Sequence, residues 1–192
     1  MSSPPCTISV AVAEPVGFVK VQGRANFSIS GSFRTMMTNL SERGCVRFMV
    51  DLAECSIVDS TFLGVLVGLA LGPRSGAASQ PPHITLLNAN PRLTELIDSL
   101  GVASLFCLID AEKPFSGALE TLDLGAKPTD KTESTRTCLE AHKTLMAINP
   151  ANIPKFKDVA QFLEEDLKRS APKDETKSTD QNGDATPPKR PE

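Results

Sequence analysis

Residues 50–64 read Val50-Asp51-Leu52-Ala53-Glu54-Cys55-Ser56-Ile57-Val58-Asp59-Ser60-Thr61-Phe62-Leu63-Gly64. The alternation up to Leu52 is that of a strand, residues 55–58 read as a short loop, and Asp59-Ser60 heads a helix. Asp and Ser are preferred where a helix starts, because their oxygens accept from its unpaired N–H groups. The run that follows, 62–71, has no polar side chain. A hydroxyl thus sits at the N-terminus of an uncharged helix, an arrangement that suits a phosphorylation switch better than a catalytic pocket.

The surrounding sequence extends this pattern in both directions. Residues 7–12 and 16–22 are β-branched runs separated by Ala13-Glu14-Pro15, the mark of a hairpin. Phe33, Met36, Met37 and Leu40 recur at helical spacing, which predicts a helix over 32–43 stopped by Gly44. Val46, Phe48, Val50 and Leu52 alternate with Arg47, Met49 and Asp51 as a strand does, which points Asp51 away from the core. Residues 74–82 form a Ser/Gly/Pro loop and 84–87 a strand. Pro91 opens a helix with Leu93, Leu96, Ile97 and Leu100 on one face, closed by Gly101. A last strand over 105–109 and a short helix over 115–122 complete the order β-β-α-β-α-β-α-β-α. Such alternation implies an α/β layer fold with a partly parallel sheet.

The chain then changes character. Residues 126–136 read as a polar linker. Cys138, Ala141, His142, Leu145 and Met146 share one helical face, and Phe156, Val159, Ala160, Leu163 and Leu167 share another, with Asn152 placed to cap the second helix. Residues 137–169 therefore form a helical hairpin that must pack on something, since neither helix can bury its stripe alone. Packing in cis, pairing into a homodimer and holding a second partner all satisfy this need. Residues 170–192 are nearly devoid of apolar side chains and read as a disordered tail.

Composition excludes several functions. The 192 residues carry a formal charge of −3, with no Trp or Tyr and nine Phe, which argues against nucleic-acid binding. Cys6, Cys45, Cys55, Cys107 and Cys138 are scattered and odd in number, without the pairs of a disulfide framework or metal site, and read as small core residues. No leader pattern is visible and no apolar run approaches the roughly 20 residues of a membrane span. A cytoplasmic protein without cofactor or metal is the expectation. His83 reads as exposed and His142 as packed, and neither has a visible Ser or Cys partner, so no catalytic residue is expected.

The block from Val50-Asp51-Leu52 to Asp59-Ser60-Thr61-Phe62-Leu63-Gly64 resembles the signature of STAS domains, the bacterial anti-sigma factor antagonists (anti-anti-sigma factors) and their relatives. Gly23, Asn90-Pro91-Arg92-Leu93 and Leu100-Gly101-Val102 are similar to the family's flanking segments, so the resemblance covers residues 7–125. It implies a mixed β-sheet with helices packed mainly on one face, to which the C-terminal hairpin is an addition. It also implies a non-enzymatic partner switch in transcription regulation. The unphosphorylated domain binds an anti-sigma factor, often a serine kinase. The kinase phosphorylates Ser60, and a phosphatase reverses the mark. Carried over by position, the partner-binding residues are Asn26, Asp59, Ser60, Thr61, Phe62, Leu63, Gly64 and Val67. Asn26 stands where many members have Asp, and together with the loop 74–82 it favours an alternative: an unphosphorylated accessory subunit of a membrane transport system. The uncharged helix itself fits two arrangements, a partner surface or a helix buried on all sides beneath the hairpin.

Overall fold

The computed structural model describes residues 6–72, 83–112, 115, 117–122 and 130–170. Its strands β1 (Thr7–Ala13) and β2 (Val16–Ala25) form the expected antiparallel hairpin around Glu14-Pro15. Helix α1 (Phe27–Glu42) returns the chain to β3 (Arg47–Asp51), parallel to the first half of β2. Next come β4 (Cys55–Val58), α2 (Ser60–Ala70), β5 (His83–Leu87), α3 (Pro91–Ser99), β6 (Cys107–Ile109) and β7 (Glu120–Leu122). Seven strands make one mixed sheet in the order β6-β5-β3-β2-β1-β7, with β4 against the far end of β2. The alternating residues Ile8, Val10, Val19, Val21, Phe48, Val50, Ile84 and Leu86 meet Phe33, Met37, Phe62, Leu66, Leu93 and Ile97 in a single core. The mixed sheet with helices on one face and a C-terminal helical hairpin is thus the fold of this chain.

Several local expectations are corrected. Residues 55–58 are a strand, not a loop. Its pairing with β2 continues that strand past Gly23, where φ is +85° and the register shifts, as far as Ala25. Helix α1 starts at Phe27, five residues before the expected start at 32, because Asn26 caps it there. Among the described residues, 115 and 117–122 are not helical. Glu120–Leu122 adds to the edge of β1, where unpaired backbone groups outweigh the weak drive of so short a helix. A 3₁₀ turn at Ala103–Leu105 precedes β6, so the last of the parallel strands is shorter than 105–109. Asp51 is buried rather than outward. Its Oδ1 accepts from the Ala53 N–H at 3.1 Å and the Asn88 side-chain amide at 2.9 Å, tying the ends of β3 and β5 together.

The C-terminal helices are α4 (Lys131–Ile148) and α5 (Ile153–Ser170). Helix α4 takes up residues expected in the linker, because Asp130 caps it by accepting from the Thr132 N–H. Asn152 does not cap α5. It is fully buried in a 3₁₀ turn and donates to the carbonyls of Leu100 and Leu145 at 2.9 and 3.1 Å. Asn149 and Lys155 donate to Leu100 and Ser99 nearby, so the hairpin elbow satisfies the orphan carbonyls at the end of α3. The loop 74–82, residues 123–129 and the tail 171–192 lie outside the described residues. Among the described residues no helix is long and apolar enough to cross a membrane.

Helix α4 lies directly on α2 and α1, and glycine sets how close it comes. A Cβ at Gly64 would stand 2.8 Å from both the Cβ and the carbonyl oxygen of Ala141. At Gly68, one turn on, there is open space. Helix propensity alone would make alanine better than glycine by about 1 kcal/mol at either position, whereas forced overpacking costs about 1–3 kcal/mol. Thermal unfolding should therefore separate the two: Gly68→Ala raises the melting temperature and Gly64→Ala lowers it. Equal stabilisation by both would mean that α4 does not rest on α2.

Candidate functional site

Two helices begin at one carboxylate. The Asp59 backbone is extended, and its Oδ1 accepts from the Phe62 N–H at 2.8 Å, the cap of α2. Its Oδ2 accepts from the Phe27 N–H, also at 2.8 Å, at the start of α1. The Asp59 N–H donates to the carbonyl of Ala25 at the end of β2. Asn26 completes the α1 cap, its Oδ1 accepting from the backbone N–H and the hydroxyl of Ser28. Negative charge is favoured at helix N-termini, so one aspartate serves both. Capping belongs to Asp59, and the Ser60 hydroxyl is left with no capping bond to make.

That hydroxyl faces α4. Ser60 Oγ lies 3.1 Å from His142 Nε2, within hydrogen-bond distance. Thr61 Oγ1 lies 3.2 Å from Cys138 Sγ, which is 3.8 Å from His142 Nδ1. On its other side the imidazole stacks on the Phe156 ring of α5, with centroids 4.6 Å apart. Arg34 of α1 pairs with Glu140 and donates to the Thr137 hydroxyl at 3.1 Å, clamping the same helix from the side. Between α4 and α5, Lys143 pairs with Glu164 at 2.6 Å.

These contacts correct the expectation that neither histidine has a Ser or Cys partner. Ser60 lies 82 residues from His142 in the chain, and no spacing rule reaches that far, whereas Cys138 is one helical turn before it on α4. Burial pushes the imidazole below its ordinary value near 6.5, the Asp59 charge pushing it partly back, so the ring is neutral at pH 7. Burial likewise pushes the Cys138 thiol up, against the lowering effect of the Thr61 hydrogen bond. His142 Nδ1 faces this thiol rather than a carboxylate, and the Phe62 N–H that could steady an oxyanion is taken by Asp59. What the arrangement does is satisfy polar groups inside a helix–helix contact.

Of the residues carried over from the family, Asn26, Asp59 and Ser60 are half-buried, and Thr61, Phe62, Leu63, Gly64 and Val67 are buried. Between the two arrangements open to the uncharged helix, this structure has the covered one. Gly31, Arg34, Cys138, Ala141 and His142 belong to the site and escaped sequence reasoning as a group. The α4 stripe was visible, but not what it packs against. Cys6, Cys45 and Cys55 are buried as expected, whereas Cys107 is exposed. A cleft of about 600 Å³ lined by Phe18, Lys20, Asp51, Asn88 and Phe115 opens elsewhere and shares no residue with the Ser60 site.

No family model matches the chain, and no curated protein does. Among solved structures it is similar to anti-sigma factor antagonists. One is SpoIIAA in its unphosphorylated form, at 13% identity and a TM-score of 0.45, covering 55% of this chain and 89% of that one. Another is the Bacillus cell fate determinant SpoIIAA in the phosphorylated form, at 14% identity and a TM-score of 0.42, covering 55% and 92%.

The buried imidazole makes the hairpin contact sensitive to acid. In the unfolded chain His142 takes its proton near pH 6.5, and in the folded chain only at lower pH. The unfolded state then binds more protons, so stability is full above about pH 6.5 and is lost as the pH falls below it. Denaturant unfolding at pH 7.5 and 5.5 should show a larger loss for the parent than for His142→Gln. The same loss in both proteins would remove His142 from this linkage.

Proposed function

We propose that this protein is a protein-binding regulator of the anti-sigma factor antagonist kind, switched by phosphorylation of Ser60. The supporting sequence feature is the block Asp59-Ser60-Thr61-Phe62-Leu63-Gly64 in its strand-to-helix setting. The single observation that carries the reading is the division of labour at the α2 N-terminus. Asp59 caps α2 through Oδ1 and holds the start of α1 through Oδ2, so Ser60 can be modified without either helix losing a backbone bond. A separate serine kinase would deliver the γ-phosphoryl group of a nucleoside triphosphate to Ser60 Oγ. The P–O bond to the nucleoside diphosphate breaks as the bond to Oγ forms, and the hydroxyl proton passes to the kinase's base.

A phosphate adds about −1.5 to −2 charges. The helix N-terminus tolerates this, but an apolar partner surface pressed on the same spot does not. The unmodified protein binds its anti-sigma factor or kinase, the modified one releases it, and a phosphatase resets the cycle. Catalysis by this chain forms no part of the reading.

Intact mass and phosphosite mapping of the protein taken from its native cells tests the switch. Phosphate on Ser60 in at least one growth condition is the expected result. An unmodified Ser60 in every condition would overturn the switch and leave a constitutive binding module, such as a transport accessory subunit.

A further inference from the structure

The surface that a regulator of this kind would offer to a partner is already occupied. Helix α4 lies across α1 and α2 and meets the site at several points. Ala141 fills the hollow at Gly64, Thr137 sits 3.4 Å from the position a Gly31 Cβ would take, and Leu145 joins the core. His142 meets the Ser60 hydroxyl at one end and Arg34 takes Glu140 at the side. The face therefore recognises a helix of definite pattern. It needs a small residue where backbones approach, a hydrogen-bonding side chain next to it for Ser60, an apolar residue one turn on, and a carboxylate for Arg34. Helix α4 supplies all four.

We propose that the α4–α5 hairpin is a built-in occupant of the Ser60 face, and that its docking and phosphorylation of Ser60 are mutually exclusive. The proposal rests on the reading of Ser60 as a modified residue and adds what the modification controls inside the chain. The contact is closed around the unmodified hydroxyl. Ser60 Oγ has the imidazole 3.1 Å away, and His142 is only 6% exposed, backed by Phe156. Three phosphoryl oxygens cannot enter between them. The adjacent Asp59 carboxylate has the same sign, and a dianion pressed against a buried neutral imidazole without a counter-ion is costly. A kinase gains the hydroxyl only when α4 lifts, and the phosphate then holds it off, a population shift toward the open state. An external helix of the same pattern competes with α4 for the unmodified face, and the phosphate rejects either one.

The native thiol of Cys138 reports the state of this contact, because it faces Thr61 across the interface. The test uses the full chain carrying Cys107→Ser, which removes the exposed thiol. Phosphoserine is installed at position 60 by genetic encoding, and maleimide labelling is followed at each cysteine by mass spectrometry. Cys138 should label roughly tenfold faster in the phosphorylated chain, the factor given by about 1.4 kcal/mol of lost docking energy. Cys45 and Cys55, both in the core, should stay protected in both forms. Equal or slower labelling of Cys138 would overturn the proposal, slower labelling meaning that His142 takes a proton and holds the phosphate. Labelling of all three thiols together would also overturn it, since the phosphate would then unfold the domain.

A second variant needs no phosphate. Thr61→Cys places a thiol opposite Cys138, and mild oxidation of the unmodified full chain should close a disulfide between them, two thiols losing two hydrogens to the added oxidant. Failure to form that bond would show that α4 does not sit on α2 in solution. The outcomes separate from those of the cellular phosphosite map. An unmodified Ser60 in cells removes the switch but not the exclusion, and unchanged labelling removes the exclusion but not the switch.

Discussion

The Asp59 carboxylate is the point from which the site is built. By accepting from Phe27 and Phe62 it fixes the starts of α1 and α2 relative to each other and to the end of β2. Buried or half-buried N–H groups at a helix start need a partner, and two helices starting side by side would otherwise need two. With that need met by one side chain, the next residue is relieved of local duty. Ser60 can turn to α4, and the two helices starting side by side form the face on which α4 lies.

That face works because its residues are small. Gly31 and Gly64 sit where larger side chains on α1 and α2 would hold a third helix away. Close approach lets backbone and Cβ atoms carry the contact, with Arg34 and Glu140 setting direction at the rim. The hairpin is also pinned at its elbow, where buried Asn152 donates to both Leu100 and Leu145. The helical addition is therefore joined to the sheet-bearing part by polar bonds of defined geometry as well as by apolar burial.

Much of this was legible in the sequence, in proportion to how local the determining physics is. The β1–β2 hairpin, the period of β3, the capped α2 and the Pro91-to-Gly101 helix follow from neighbours within a few residues. Where tertiary pairing decides, the sequence misled. Glu120–Leu122 has too little apolar content to declare itself a strand, and becomes one because β1 has an open edge. Helix α1 begins with poor helix formers, Phe27, Ser28, Ser30 and Gly31 among them, and the smallness of Gly31 serves α4 instead of α1 itself. The stripe of Cys138, Ala141, His142 and Leu145 announced a buried face but carried no address. Its meeting with Ser60 depends on the path of the chain between them, which no periodicity encodes.

The tether between a helix and its own receptor surface has a quantitative consequence. A segment joined to its binding site by a short connection acts at an effective concentration of order millimolar. A separate helix arriving from another molecule must outbid that local excess. The threshold at which it succeeds is then written largely outside the receiving surface, in residues such as Ala141, Leu145 and Asn152 that set how firmly the hairpin sits. Responsiveness can drift or be tuned through those positions while α1 and α2 stay unchanged. Selection on the sensitivity of the molecule and selection on its choice of partner can thus act on different stretches of one chain.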